Sequence, residues 1–337
     1  MPLVSVLMPC YQAADTLAAA MESLVGQTLP DFEIVAVDDG SSDATWDVLS
    51  AFASRDARVR PLRIPHGGIV AALQAGLSHC RGGLVARMDA DDVCLPDRLA
   101  SQAALFANDP GLGVASCRVR FGGCRTASAG YAGYVDWINS LLSHEEMAKA
   151  RFVEAPLAHP SAMVRADLLR ACGGWREGRF PEDYDLWLRL FALGARFAKC
   201  PDELLVWNDP PGRLSRTHEN YAPEAFYATK ADYLAQWLAQ SALTWPEVTV
   251  WGAGRVARRR AALLGGHGAR IVAYVDIDPR KIGNHVHGVP VIGREDLPAP
   301  GETFVLSYVG SRGAREEIGE YLAMRGYVEG TDFLHVA

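Results

Sequence analysis

No stretch of these 337 residues comes near the roughly 18 consecutive apolar positions that a membrane-spanning helix requires. A charged leader followed by a long apolar segment is also missing. The first residues, Met-Pro-Leu-Val-Ser-Val, read as a strand, so a soluble, cytoplasmic protein without a secretory signal is expected. Paired CxxC spacings are absent. The seven cysteines (Cys10, Cys80, Cys94, Cys117, Cys124, Cys172 and Cys200) are odd in number and scattered, which argues for reduced thiols over a disulfide framework or a zinc site. Excess basic charge is lacking as well. A net charge of -7 argues against a dominant nonspecific affinity for nucleic acid or anionic membrane. Low-complexity tracts and fixed-period repeats are absent too.

What remains is an ordinary globular composition, 49% hydrophobic and 22% charged, on a chain long enough for about two domains. The first part alternates strand and helix. Leu3–Met8, Phe32–Val37, Val59–Ile64 and Leu84–Met88 read as strands, with helices over Thr16–Val25, from Ser42-x-x-Thr45 through Ala53, and over Ile69–Cys80. This rhythm predicts an α/β fold whose mostly parallel sheet carries helices on both faces, with ligands bound beyond the carboxyl ends of the strands. Gly122–Tyr134 is expected to be a loop, Ser161–Arg165 and Phe197–Cys200 strands, and Tyr184–Leu193 a helix. Pro223–Ser241 reads as a connecting helix. Near Trp245 a second unit begins, with a strand at Val248–Trp251, a Gly252-Ala253-Gly254 turn, a helix from Arg255 to Leu264 and a strand at Ile271–Val275 ending in Asp276. The expected domains are residues 1–222, a connector at 223–244, and residues 245–337.

The chemistry concentrates in acidic clusters. Met88-Asp89-Ala90-Asp91-Asp92 follows an apolar strand, and three carboxylates within four residues repel one another unless a cation or several donors compensate them. Hard oxygen ligands at a strand end suit a Mg²⁺ or Mn²⁺ ion shared with a diphosphate. Asp38-Asp39-Gly40-Ser41-Ser42-Asp43 places a second acidic pair at a strand end, where a carboxylate can accept from a base N–H or a ribose hydroxyl. In Phe180-Pro181-Glu182-Asp183-Tyr184-Asp185-Leu186-Trp187, acids open a helix with an aromatic, apolar face. Dipole compensation explains them in part, and Asp183 at the wall of a pocket could take a proton from a hydroxyl.

Taken in order, Val4-Ser5-Val6-Leu7-Met8-Pro9-Cys10-Tyr11, the Asp38–Asp43 turn, Ala86–Asp92 with Pro96 and Arg98-Leu99, and Glu182-Asp183 resemble the family 2 glycosyltransferases of GT-A fold over roughly residues 1–220. The resemblance implies a GT-A domain, a nucleotide-diphospho-sugar donor (UDP-sugar by family expectation), a Mn²⁺ or Mg²⁺ ion and inverting displacement. Carried over by residue, it implies that Asp39 meets the nucleobase, that Asp89 lies near the ribose or metal, and that Asp91 holds the metal with Asp92 beside it. It implies Asp183 as general base. Arg213 is a candidate diphosphate contact, His159 and Glu182 are candidates for the acceptor pocket, and His218 for the metal shell.

The second unit carries Gly252-x-Gly254-x-x-Ala257 with Asp276 at the end of the next strand, the outline of a dinucleotide fingerprint. It has no candidate for hydride chemistry, so a small Rossmann-like module without dehydrogenase activity is expected. Cys117-Arg118-Val119-Arg120, Trp137-Ile138-Asn139, Pro181-Glu182-Asp183, Val250-Trp251, Asp276-Ile277-Asp278, Lys281-Ile282 and Asp332-Phe333-Leu334-His335 are similar to the enzymes that galactosylate queuosine in tRNA. That similarity implies tRNA as partner, with the Arg255–Arg260 helix as its contact. The alternatives are a cell-surface polysaccharide or lipid-linked glycan as acceptor, or a sugar-nucleotide or dinucleotide sensor without transfer. Nothing in the sequence fixes the oligomeric state.

Overall fold

Strands β1 (Val4–Cys10) and β2 (Phe32–Asp38) are nearly unbroken apolar runs, as strands covered on both faces must be. In a computed structural model of the chain, which describes residues 1–210, 212–311 and 313–337, they pair in parallel inside an eight-stranded sheet. The further strands are β3 (Val59–Arg63), β4 (Leu84–Arg87), β5 (Val93–Cys94), β6 (Leu112–Phe121), β7 (Met163–Arg165) and β8 (Arg196–Trp207), in the spatial order β3-β2-β1-β4-β7-β6-β8-β5.

The β3-β2-β1-β4 half is parallel. Beyond it the sheet is mixed, which corrects the expectation of a mostly parallel one: β7 runs antiparallel to β4 and β6, and β5 antiparallel to β8. The chain re-enters beside β4 from the opposite direction after its excursion through residues 122–162. Val4, Val6, Met8, Ile34 and Ala36 belong to one core with Leu17, Met21 and Leu24 of helix Ala14–Val25, Leu49 and Phe52 of helix Thr45–Arg55, and Leu99 and Phe106 of helix Arg98–Asn108. Each fully buried Leu, Met or Phe adds about 1.5–3 kcal/mol. Leu7 and Val37, which alternate with that set, meet helix Ile69–His79, so closely that a Cβ on Gly76 would overlap the Leu7 side chain.

Some elements differ from the sequence pattern. Residues 122–134 are not all loop. A helix covers Ala129–Ser140, burying Ala132, Val135 and Ile138, and small residues mask this stripe in composition. The strand expected at Phe197–Cys200 continues to Trp207, carrying the chain back to the edge where β4 ends.

The chain divides into two compact units. One comprises Met1–Met147, Pro156–Gly178 and Arg189–Thr217; the other comprises Ala148–Ala155, Arg179–Leu188 and His218–Ala337. The second unit takes in helix Pro223–Ser241 and two earlier segments that boundaries at 222 and 245 leave outside it. It contains β9 (Glu247–Trp251), β10 (Arg270–Val275), β11 (His285–Val286), β12 (Val289–Ile292), β13 (Val305–Ser307) and β14 (Phe333–His335), ordered β11-β12-β10-β9-β13-β14 and parallel except for the β11–β12 hairpin. Trp251, Val275, Val305, Leu322 and Phe333 form its core. The helix expected through Leu264 ends at Ala261 and continues as a 3-10 segment, Ala262–His267. Among the described residues no helix is long and apolar enough to cross a membrane.

Candidate active site

The turn after β2 is built around Asp38 and Asp39, both buried. Asp38 Oδ1 accepts from the Ser41 N–H at 3.0 Å, and its Oδ2 faces Arg63 Nε at 3.1 Å. Asp39 Oδ1 accepts from the Gly67 N–H (2.8 Å). Its Oδ2 accepts from the Gly68 N–H (2.9 Å) and from His66 Nδ1 (2.9 Å). With two lone pairs per oxygen, Oδ2 is filled and Oδ1 keeps one acceptor position. Gly40 permits this turn: its φ is +70°, and a Cβ there would lie 2.7 Å from the His66 backbone nitrogen. Half-exposed Tyr11 stacks on the His66 ring at 4.2 Å.

Across β1, the end of β4 carries the second acidic group. Ligand oxygens of Asp89, Asp91 and Asp92 lie within 4.8 Å of one another, the group among the described residues that could hold a metal ion. Asp89 is paired with the buried Arg87. Burial and the neighbouring Asp89 push the Asp91 carboxyl up to about 6, against the pull of Arg213 and Arg87. Burial, then Asp89 and Asp91, drive Asp92 well up, and its Oδ2 is buried with no hydrogen-bond partner among the described residues. Three hard-oxygen groups, two of them (Asp91 and Asp92) crowded toward protonation and one with an orphaned oxygen, fit a divalent cation of the Mg²⁺ or Mn²⁺ kind. The loop is clamped from a distant segment, where Asn208 donates its N–H to Asp92 Oδ1 (2.8 Å) and its Nδ2 to the Asp91 carbonyl (2.7 Å).

Arg213 lies with this cluster. Its guanidinium sits 4.1 Å above the Trp207 ring and 5.4 Å from the Tyr131 ring, and its charge is felt at both Asp91 and Asp92. Arg216 sits 4.8 Å from the same Tyr131 ring, whose hydroxyl shares a 2.7 Å hydrogen bond with Ser215. Cations on an aromatic ledge beside carboxylates suit a bound diphosphate.

The other candidates divide between the units. His159 belongs to the first and is buried. Its Nε2 accepts from the Trp175 indole at 2.9 Å, and burial, then Arg87, holds it well below its usual range and so neutral. These contacts place it in the packed interior of that unit. The opening of helix Glu182–Ala192, up to Leu188, belongs to the second unit; there Glu182 accepts from the Tyr221 hydroxyl and Asp185 from Tyr233 at 2.7 Å, and both acids are buried. Asp183 between them is half-buried, and its Oδ1 accepts from the Tyr184 N–H at 2.7 Å. His218 groups with the second unit and accepts from the Asn220 N–H, outside the metal cluster. The Arg255–Arg260 helix is only partly solvated, since Arg259 pairs with Glu224 (2.7 Å) and Arg260 folds onto Tyr227. Asp276 accepts from the Ala253 N–H (3.0 Å), the Asp278 N–H (3.0 Å) and Lys281 (2.9 Å), tying the glycine turn to its own loop.

Arg87, Asn208, Trp207, Tyr131 and His66 were not singled out by sequence. Arg87 stands inside the Ala86–Asp92 motif; the others are remote from the acids they serve, and no local spacing marks them.

Residues 5–173 match the model of the family described as "Glycosyl transferase family 2". The chain is 32% identical over 209 residues to the amylovoran biosynthesis glycosyltransferase AmsE of Erwinia amylovora, covering 60% of this chain and 75% of that protein. It is 27% identical over 192 residues to the O-antigen biosynthesis glycosyltransferase WbnJ of Escherichia coli, covering 56% and 71%. Among solved structures it is similar to S. aureus TarS 1–349 in complex with UDP-GlcNAc (TM-score 0.55, 18% identity, 78% of this chain and 70% of that one). It is also similar to the mannosyltransferase PcManGT from Pyrobaculum calidifontis in complex with GDP-Man and Mn²⁺ (TM-score 0.51, 22% identity, 71% and 64%). The fold is the GT-A type. These relatives do not bear out the narrower similarity to the queuosine enzymes, because their names point to polysaccharide and O-antigen synthesis.

Proposed function

Since this chain belongs to glycosyl transferase family 2, and is a glycosyltransferase using a nucleotide-sugar donor, we propose that it extends a cell-surface polysaccharide or lipid-linked glycan by one sugar, with inversion. The observation that carries this reading is the Asp89–Asp91–Asp92 cluster at the carboxyl edge of the sheet, facing the charge of Arg213 and flanked by the Asp39 turn. The named pathways of AmsE and WbnJ support a polysaccharide acceptor over tRNA.

Asp91, with Asp89 and Asp92, would hold Mn²⁺ or Mg²⁺, and a divalent ion supplies charge neutralisation of the leaving diphosphate. The remaining roles fall to side chains. Asp39 orders the His66–Gly68 loop and keeps one lone pair for a base N–H. Arg213 shares the developing negative charge of the diphosphate. Asp183 removes the proton of the incoming acceptor hydroxyl, a step in which a positioned carboxylate contributes about 10²–10⁴-fold. UDP is the expected nucleotide; PcManGT binds GDP-Man, and TarS binds UDP-GlcNAc.

The test is incubation of the protein and Mn²⁺ with labelled UDP- and GDP-sugars, together with glycan, lipid-linked glycan and bulk tRNA fractions. Label in glycan or lipid-linked material is the expected result. Label confined to queuosine-bearing tRNA overturns the acceptor assignment, and absence of both transfer and donor hydrolysis overturns the enzymatic one.

A further inference from the structure

The second unit contains a cavity of about 260 Å³ that no step above uses. Its walls include Glu154, Tyr221, Phe226, Tyr227, Lys230 and Arg260. Ligand pockets for drug-sized molecules begin near 300 Å³, so this one suits a single small group such as one sugar residue.

Its charges are unevenly matched. Lys230 is only 2% exposed and donates to the Val153 carbonyl (2.6 Å) and the Val336 carbonyl (3.2 Å), with its Nζ 4.2 Å from the centre of the Tyr227 ring. Burial pulls this amine down to about 7, with Glu154 opposing; the Glu154 carboxyl is itself raised by burial and held back by Lys230. Lys230 and Glu154 thus act on each other through their charges, and the Lys230 protons go to backbone carbonyls. Arg260 is different: one Nη donates to the Tyr227 hydroxyl at 3.1 Å, the guanidinium lies 4.0 Å above the ring, and Nε is buried with no hydrogen-bond partner among the described residues. Among the described residues no carboxylate pairs with Arg260. A planar cation with an idle buried donor matches a carboxylate. A dianionic phosphate would meet Glu154 with surplus negative charge.

The cavity adjoins the turn that carries the proposed base. Tyr221 donates its hydroxyl to Glu182, the residue before Asp183; Phe226 packs against Tyr184 with ring centroids 5.3 Å apart; and the Asp183 charge raises Glu154. We infer that this cavity is an acceptor subsite for a sugar bearing a carboxylate, and that Arg260 of the appended Rossmann-like module reads the acid. The inference rests on the glycosyl-transfer reading above. It gives the module a role in acceptor choice that its incomplete dinucleotide outline does not supply.

Two measurements on the full chain test it. In the first, saturation-transfer NMR compares methyl glucuronide with methyl glucoside; binding of the acid at least ten-fold tighter than the neutral sugar is expected, and equal or absent binding of both overturns the subsite. In the second, kcat/KM is compared for oligosaccharide acceptors ending in glucuronic acid or glucose. The wild-type ratio is expected above ten, falling toward one in Arg260→Gln and partly restored in Arg260→Lys. An unchanged ratio in Arg260→Gln overturns the inference. A protein that binds the acid yet transfers to nothing counts against the transferase reading alone, while one that transfers without regard to the acid counts against the subsite alone.

Discussion

The Arg98 guanidinium donates to the carbonyl of Arg87 at 2.6 Å, from a position with no solvent exposure. The same group reaches Cys94 Sγ (3.1 Å), Met88 Sδ (3.4 Å) and Gln102 Oε1 (3.1 Å), so a buried cation made of neutral contacts holds the end of β4. Asp92 lies within its electrostatic reach.

Arg98→Lys keeps the charge and loses the fork. Stranding the Arg87 carbonyl and the Gln102 oxygen should cost about 2–4 kcal/mol of unfolding free energy. Urea denaturation checks this, and a loss below about 1 kcal/mol would show that the fork does not anchor the strand end.

Asp91→Asn removes one charge from the crowded acidic group. Titration calorimetry with UDP is expected to show at least ten-fold weaker binding in the presence of Mn²⁺, and little change without it. Equal affinity in the mutant and parent with Mn²⁺ would remove Asp91 from the metal site.

Asp183→Asn should lower kcat by about 10²–10⁴-fold while the donor dissociation constant stays within about two-fold. Loss of donor binding instead would make Asp183 a donor-site residue.

Gly40→Ala must accommodate a Cβ 2.7 Å from the His66 nitrogen at a φ of +70°. A destabilisation of about 1–3 kcal/mol is expected, together with weaker nucleotide binding as the His66–Gly68 loop shifts off Asp39. Thermal denaturation and nucleotide titration read the two effects separately.

At the opposite end of the sheet, Glu33 is 2% exposed. Burial works to raise its carboxyl, but hydrogen bonds from Ser5, Arg81 and Arg60 outweigh it and bring it down to about 2 from 4.5. A carboxyl lowered in the folded state binds its proton more readily when unfolded. Its stabilisation, about 3 kcal/mol, is therefore complete above pH 4.5 and disappears as the pH falls toward 2. Glu33→Gln should flatten the stability profile across that window; an unaltered acid limb in chemical denaturation would contradict it.

Much of this was legible in the residues themselves. The parallel β3-β2-β1-β4 half follows from apolar runs alternating with helical periods, and the acidic turns at Asp38 and Asp89 follow from carboxylates placed at strand ends. The rest depends on partners distant in sequence. β7 turns the sheet from parallel to mixed through pairings that no local pattern announces, and the helix at Ala129–Ser140 hides its buried stripe among small residues. His159, in a His-Pro-Ser sequence, accepts from the Trp175 indole, a partner 16 positions away that no local spacing marks. Arg260 could be read as basic, but only the fold turns it toward Tyr227.

The clamp from Asn208 onto Asp92 spans 116 positions along the chain. During synthesis the acidic loop therefore emerges long before the residue that fixes it, and closing so long an interval is among the slower events of folding. A fragment ending at residue 173, where the family match stops, would possess every carboxylate of the loop and lack the strand that sets their positions.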